Sequence, residues 1–183
     1  MVIIVHGYEG SGDGHWQRWL RDDLQNAGTP VVLPDLPAPL EPDKAAWVDT
    51  LAALVAEAPA GPHTFVCHSL GCWAFDHLLH EGRAGQPHAA LLVAPPSPFL
   101  LFEPVQSFLP PPRSRAAWAP LAARSLVVGS DNDEHASAEE FQEIADAIGT
   151  SCTVLPGAGH INTDAGFGPW PLALDWLRSV GAL

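Results

Sequence analysis

Ser69 stands in a sequence pattern that can expose a nucleophilic hydroxyl. An apolar run ends in the pentapeptide CHSLG, and a helix-like stretch follows at once. A sharp turn between a strand and a helix holds such a serine out above the sheet, an arrangement called a nucleophile elbow. Small residues two before and two after the serine let strand and helix approach. Gly71 meets this need, and Cys67 stands where glycine is usual. The alternative interpretation is a buried strand followed by a helix that Ser69 merely caps.

A glycine-rich loop near the start of the chain can supply hydrogen-bond donors for acyl transfer. The apolar run Val2–Val5 leads directly into HGYEGSG. Acyl transfer through a serine needs backbone N–H groups aimed at the developing oxyanion. One comes from the residue after the nucleophile, here Leu70, and another from a loop after an early strand, for which Tyr8 is the candidate. Glycine-rich loops also bind phosphates, but neither GxxxxGK[ST] nor GxGxxG spacing occurs in the chain.

A histidine and a group of acidic residues complete the set. His160 lies in PGAGHIN after the last strand-like run, from where it can reach Ser69 as a general base. The acid that orients His160 should lie in SDNDEH, after the fifth strand-like run. Asp131, Asp133 and Glu134 all qualify by residue type, and each could instead be a turn residue that binds its own backbone. Position relative to the following helix favours Asp133, with Asp131 as the rival.

Short aliphatic runs alternate with helix-like stretches and must position these residues. The nearly continuous apolar character of the runs is typical of parallel strands covered on both faces. The predicted strands are Val2–Val5, Pro30–Leu33, His63–Cys67, Ala89–Ala94, Ser125–Gly129 and Cys152–Leu155. Apolar residues at spacings of three and four indicate the helices. The predicted helices are Gly14–Gln25, Asp43–Glu57, Leu70–Glu81, Ala138–Ile148 and Trp170–Ser179.

This alternation predicts an α/β fold, a doubly wound and mainly parallel six-stranded sheet with helices on both faces. Right-handed crossovers give the strand order 2-1-3-4-5-6, whose switch point lies between strands one and three. Ligands bind beyond the carboxyl ends of the strands at such a point. Tyr8 follows strand one and Ser69 follows strand three, so both should border one crevice. The length and the lack of a linker-like segment predict a single domain over residues 1–183.

The segment Pro95–Pro120 interrupts the alternation. It is rich in proline but too apolar for a solvated linker. The two interpretations, which are compatible, are a loop packed onto the core and a wall or lid over a substrate cleft. Its apolar residues and the seven tryptophans of the chain suggest a hydrophobic acyl site, although the same residues could simply be core.

Charge and composition exclude several classes of partner and cofactor. Lys and Arg total 8 against 21 Asp and Glu, and the formal charge of −13 disfavours nucleic acid and anionic membrane surfaces. The three cysteines lack metal-type spacing and are expected to be reduced thiols. With no signal-like segment or bilayer-length apolar run, a cytoplasmic location is expected. No metal site is expected, because His77 and His80 have no third ligand nearby. No organic cofactor is expected either, because acyl transfer through a serine needs none.

Five blocks, in order along nearly the whole chain, carry a resemblance to a known family. They are GDGHWQ, CHSLG, SDND, GHIN and GFGPWP. Together they resemble the small serine hydrolases of the retinoblastoma-binding-protein-nine and YdeN-like family, within the α/β-hydrolase superfamily. The resemblance implies a triad of Ser69, Asp133 and His160 and no large cap domain. Departures are Cys67 and the pair Glu134-His135, which replaces a common proline–aromatic pair. His15 and Trp16 belong to the family pattern, and packing at a helix start is the expected role of both.

These observations predict a serine hydrolase that cleaves an ester, thioester or activated amide of a small-molecule substrate. Ser69 would be the nucleophile and His160 the general base, with the Leu70 and Tyr8 N–H groups as the oxyanion hole. Two other classes stay open. The chain could be a partner-binding protein on a hydrolase fold with little turnover, although the sequence indicates no protein partner. It could also be an acyltransferase or cyclase that uses the same triad.

Overall fold

The computed structural model describes residues 1–183, which form a six-stranded parallel sheet in the order β2-β1-β3-β4-β5-β6. Every neighbouring pair of strands runs parallel. The predicted fold class and strand order are therefore confirmed. The strands are β1 Val2–Val5, β2 Val31–Val32, β3 His63–His68, β4 Pro87–Val93, β5 Leu126–Ser130 and β6 Ser151–Leu155.

Helices cover both faces of the sheet, as the alternation of side chains in β1 shows. Ile3 and Val5 join one hydrophobic core and Val2 and Ile4 join the other, because successive strand residues point to opposite faces. The first core is covered by α2, α3, α4 and α5, and the second by α1 and α6. The helices are α1 Trp16–Asn26, α2 Lys44–Glu57, α3 Leu70–His80, α4 Arg115–Trp118, α5 Ala138–Ile148 and α6 Pro171–Ser179. None of them is long and apolar enough to cross a membrane.

Element boundaries differ from the predicted ones for local reasons. Strand β2 has two residues instead of four, because this edge strand pairs only with Val2 and Ile3 of β1. Strand β4 begins two residues early at Pro87, which is tolerated because a proline can occupy the first position of a strand. Helix α1 begins at Trp16, where the Nδ1 atom of His15 accepts a hydrogen bond from the Gln17 N–H at 3.2 Å. His15 is therefore the N-cap of α1, consistent with the helix-start role expected for it.

The segment Pro95–Pro120 packs onto the core, which is one of its two interpretations. It contains a 3-10 helix, Glu103–Phe108, and the short α4. Phe108 and Trp118 are completely buried. The Trp118 indole N–H and the Arg113 backbone N–H each donate to the Asp76 carboxylate of α3 at 2.7 Å. These bonds tie the segment to the helix that follows Ser69.

Gly71 marks the closest approach between α3 and β1. A Cβ atom at this position would lie 2.6 Å from the carbonyl oxygens of both Val5 and His6. Backbone oxygens at that distance cannot move aside without shifting the strand. The small residue that sequence analysis required two positions after Ser69 is thus explained by packing.

We expect Gly71→Ala to lower the free energy of unfolding by about 1–3 kcal/mol, since the added methyl group overpacks a rigid contact. Urea denaturation followed by circular dichroism measures this change. Gly12→Ala is the matched control, because a Cβ atom there meets no atom within 4 Å and its backbone is not in the left-handed region. The control should change stability by less than about 0.5 kcal/mol. Equal effects of the two substitutions would contradict the packing argument.

Candidate active site

Ser69 occupies a sharp turn between β3 and α3. Its φ and ψ angles are 51° and −125°, a conformation that a non-glycine residue rarely adopts. The Ser69 backbone N–H donates to the Val93 carbonyl oxygen of β4 at 2.9 Å, which fixes the turn to the sheet. The side chain makes no capping hydrogen bond to α3. The interpretation of Ser69 as merely a helix cap is therefore wrong, and its hydroxyl is free for another partner.

Three side chains from distant parts of the chain meet at this turn. The Nε2 atom of His160 lies 2.8 Å from the Ser69 Oγ atom. On the other side of the ring, Nδ1 lies 3.0 and 2.9 Å from the two carboxylate oxygens of Asp133. The Asp133 side chain is fully buried and that of His160 is 8% exposed. A hydroxyl, an imidazole and a carboxylate in this order can pass a proton from oxygen to nitrogen while the carboxylate stabilises the charged ring.

The candidate acids in the loop after β5 have different partners. Asp131 accepts a hydrogen bond from the Gly157 N–H at 2.7 Å and does not contact His160. The side-chain oxygen of Asn132 accepts from the Gly159 N–H at the same distance. Both residues therefore fasten this loop to the loop that carries His160. Glu134 is exposed and lies near His135. Among the candidate acids, only Asp133 lies beside the imidazole.

Asp133 also binds its own backbone. Its Oδ1 atom accepts from the His135 N–H at 2.9 Å. Asp133 is therefore both a turn residue that binds its own backbone and the partner of His160. The Glu134-His135 departure from the family pattern does not displace the carboxylate, since the His135 N–H holds it in place.

The loop after β1 lies against the Ser69 turn. A Cβ atom at Gly7 would lie 2.8 Å from the Ser69 Cβ atom, so only glycine allows this approach. The backbone N–H groups of Tyr8 and Leu70 have no acceptor in the protein. Leu70 directly follows the serine and Tyr8 lies in the loop packed against it, so these two N–H groups are the candidates for binding an oxyanion.

His6, which the sequence patterns did not single out, holds the loop that carries Tyr8. Its Nδ1 atom donates to the Gly7 carbonyl oxygen at 2.8 Å, and Nε2 accepts from the Leu36 N–H at 3.1 Å. Burial lowers the pKa of His6 below its usual value. The ring is therefore neutral at neutral pH and can donate at one nitrogen while it accepts at the other. The position directly after an apolar strand was the only signal for it.

A polar cleft of about 300 Å³ opens over Ser69 and His160. Twelve residues line it, and Tyr8 is the only hydrophobic one. Glu9 and Asp164 contribute carboxylates, and no Lys or Arg lines the cleft. The segment Pro95–Pro120 contributes no lining residue and borders the cleft at two places. The Phe102 ring meets the edge of Tyr8 with centroids 5.0 Å apart, and the Ser97 N–H donates to the His135 carbonyl oxygen at 2.9 Å. The cleft does not have the hydrophobic character that this segment and the tryptophans suggested.

Three further imidazoles surround the His160 side of the cleft. The ring centroids of His135 and His68 lie 4.5 and 5.1 Å from that of His160, and His15 contacts His68 at 5.0 Å. Burial is the main cause of a lowered pKa in all three rings. It lowers the pKa of His15 to about 4 and that of His68 well below the usual range. These three rings are therefore uncharged at neutral pH. They surround His160 without adding positive charge beside it.

Comparison with known proteins identifies the family and the fold. The serine hydrolase family model matches residues 2–179. YdeN of Bacillus subtilis (strain 168) is 28% identical over 181 residues, which cover 97% of this chain and 94% of that protein. The crystal structure of the B. subtilis ydeN gene product has a TM-score of 0.86 at 25% identity and covers 100% of this chain and 98% of that one.

A YdeN-like hydrolase structure from Pectobacterium atrosepticum has a TM-score of 0.78 at 27% identity, with 100% of this chain and 90% of that chain covered. The resemblance to YdeN-like serine hydrolases, read from the five sequence blocks, is thereby confirmed. Because the family match extends over nearly all of the sequence and the sheet has the expected strand order, this chain belongs to the serine hydrolase family and has the α/β-hydrolase fold.

Proposed function

We propose that this protein hydrolyses an ester, thioester or activated amide through an acyl-enzyme formed on Ser69. One observation carries the proposal. Asp133, His160 and Ser69 form an unbroken hydrogen-bonded path, with 2.9 Å from carboxylate to Nδ1 and 2.8 Å from Nε2 to the hydroxyl oxygen. This path is what a serine needs to become a nucleophile at neutral pH.

The reaction begins with proton transfer from Ser69 to His160. As Nε2 takes the proton, the Oγ atom attacks the substrate carbonyl carbon and the carbonyl oxygen becomes negatively charged. The Leu70 and Tyr8 N–H groups donate to this oxyanion. Loss of one such donor typically costs about 100-fold or more in rate. His160 then protonates the leaving group, which departs and leaves the acyl group on Ser69.

Deacylation reverses the same proton path. A water molecule gives a proton to Nε2 of His160 and attacks the acyl carbonyl, and the carboxylic acid leaves as Ser69 recovers its proton. Throughout, the Asp133 carboxylate accepts the Nδ1–H bond, which keeps Nε2 free to receive protons and stabilises the imidazolium. The buried position of Asp133 keeps water from competing for that bond.

The lining of the cleft favours a short, polar acyl group. A long alkyl chain gains binding energy only where it removes apolar surface from water, and the cleft offers one hydrophobic residue, Tyr8. Glu9 and Asp164 also repel a substrate whose acyl group carries a negative charge. The proposed substrate is therefore a neutral or cationic acyl compound.

The function is tested by following both products of p-nitrophenyl butyrate. The proposal expects p-nitrophenol and free butyrate in equal amounts, also with a primary amine present. Release of p-nitrophenol with the butyryl group captured by the amine would instead assign an acyltransferase. A folded protein that releases neither product would support the partner-binding alternative and contradict the proposal.

A series of p-nitrophenyl esters tests the substrate class. We expect kcat/KM to show no rise from butyrate to decanoate, since a polar cleft does not bury added methylene groups. A hydrophobic acyl site would add about 0.8 kcal/mol, or about fourfold in kcat/KM, for each methylene. Steady-state rates at low substrate concentration give this ratio, with Ser69→Ala protein as the blank. A rise in kcat/KM of about fourfold for each added methylene would contradict the proposed substrate class but not the Ser69 mechanism.

A further inference from the structure

Two buried rings donate hydrogen bonds to consecutive backbone carbonyls at His160. The Trp16 Nε1–H donates to the Ile161 carbonyl oxygen at 2.9 Å. The His68 Nε2–H donates to the carbonyl oxygen of His160 itself, also at 2.9 Å. Trp16 begins α1 and His68 ends β3, so the His160 loop is held from two separate elements. We call this pair of bonds the carbonyl clamp.

The two rings of the clamp support one another. Trp16 is completely buried and His68 is 5% exposed. The rings meet edge to face, with centroids 5.9 Å apart and an interplanar angle of 90°. Because a carbonyl oxygen can only accept, the His68 Nε2 atom must carry the proton. Burial lowers the pKa of His68, which keeps the ring in this neutral form.

The backbone next to His160 needs such support. Ile161 has a φ angle of 51°, in the left-handed region, and it is completely buried. A β-branched residue in that region is a genuine outlier, and such conformations persist only where the surroundings fix them. The clamp holds the carbonyl group that precedes Ile161, which is that of His160, and the carbonyl group of Ile161 itself. It therefore fixes the backbone from which the His160 ring projects.

We propose that Trp16 and His68 are positioning residues that hold the His160 imidazole in line between Asp133 and Ser69. This inference rests on the proposed function, because it assigns the clamp to the general base. Neither ring gives or takes a proton in the reaction, and both act through the His160 backbone. The clamp also gives Trp16, in the GDGHWQ block, a role beyond packing at a helix start. A displacement of about 1 Å at a reacting group can cost about 100-fold in rate.

Trp16→Phe and His68→Leu each remove one donor of the clamp and leave a side chain of similar or smaller size at the buried position. We expect each to lower kcat for p-nitrophenyl butyrate by about 10- to 100-fold and to change KM by less than about threefold. His68→Gln is the conservative variant, because its amide nitrogen can occupy the position of Nε2 and donate. It should keep kcat within about fivefold of the wild-type value.

Trp118→Phe is the matched control. Trp118 is as buried as Trp16, and its indole N–H donates to the Asp76 carboxylate at 2.7 Å. Loss of this donor should cost at least as much stability, since it leaves a buried carboxylate short of a partner. Trp118 belongs to the other hydrophobic core and does not hold the His160 loop. Its kcat, measured per folded molecule, should equal that of the wild type.

Proton NMR separates positioning from a merely structural role. The Nδ1–H proton of His160, shared with Asp133, should give a low-field signal that disappears in Asp133→Asn. We expect this signal to broaden or vanish in Trp16→Phe and His68→Leu and to persist in His68→Gln and Trp118→Phe. If Trp16→Phe does not fold, the two His68 variants decide the question alone.

An unchanged kcat and an unchanged signal in Trp16→Phe and His68→Leu would overturn the clamp. So would equal losses of kcat in Trp16→Phe and Trp118→Phe. Labelling by a fluorophosphonate distinguishes a failure of the clamp from a failure of the proposed function. If the wild type is not labelled at Ser69, the proposed function fails. If it is labelled and the clamp variants are labelled at the wild-type rate, only the clamp fails.

Discussion

Ser69→Ala protein should lose ester turnover by at least about 10,000-fold in kcat/KM, because no other hydroxyl lies beside the His160 Nε2 atom. The fold should remain intact. The Ser69 Oγ atom bonds only to His160, and replacing a hydroxyl by hydrogen introduces no clash. Rates with p-nitrophenyl butyrate and circular dichroism spectra measure the two effects.

Ser125→Ala provides a control for the loss of a buried hydroxyl. The Ser125 Oγ atom donates to the Leu121 carbonyl oxygen and accepts from the Ala90 N–H. Ser125 directly precedes β5, at the amino end of the parallel strands, whereas Ser69 follows the carboxyl end of β3. This variant should lose some stability and keep full turnover per folded molecule. Residual turnover in Ser69→Ala above about one part in a thousand would mean that another residue attacks the substrate.

Asp133→Asn should lower kcat by about 1,000- to 10,000-fold, whereas Asp131→Asn should lower it by less than about tenfold. The asparagine amide offers an N–H donor to Nδ1 of His160, so it favours the tautomer whose proton is on Nε2. That tautomer cannot accept the proton of Ser69. In contrast, an asparagine at position 131 keeps an oxygen that can accept from the Gly157 N–H.

Steady-state kinetics of the two asparagine variants measure this difference directly. Both substitutions remove one negative charge from the same loop, so the comparison cancels long-range electrostatic effects. Thermal unfolding confirms that each variant is folded at the assay temperature. A larger loss in Asp131→Asn would reassign the acid and contradict the geometry at His160.

The sequence was sufficient for the fold because each strand is short, apolar and separated from the next by an amphipathic segment. Continuous apolar runs such as Ala89–Ala94 identify parallel strands, and right-handed crossovers restrict the possible strand orders to a few, among them the observed one. Strand ends were less certain. The length of β2 depends on how many of its residues pair with β1, which no local sequence pattern indicates.

The candidate residues of the site could be predicted because each follows a strand in a recognisable block. The choice between Asp131 and Asp133 could not be settled from residue type, since it depends on which carboxylate turns toward His160 and which binds Gly157. The polarity of the cleft could not be predicted from the sequence either. Phe108 and Trp118 of Pro95–Pro120 are buried in the core, Phe99 and Leu101 are exposed, and none of these side chains lines the cleft.

The carbonyl clamp was beyond the reach of sequence analysis for a different reason. Its two bonds join residues separated by 145 and 92 positions. A tryptophan at a helix start has the same local pattern whether its N–H reaches a catalytic loop or the core. Only the three-dimensional arrangement shows that Trp16 and His68 meet at one segment.

Mass spectrometry after treatment with a fluorophosphonate tests the central claim most directly. The reagent phosphonylates a serine hydroxyl that an adjacent base activates. We predict one adduct per chain, located on the peptide that contains Ser69, and none in Ser69→Ala protein. An adduct on a different residue, an adduct that persists in Ser69→Ala, or a folded wild-type protein that takes up no reagent would contradict the account.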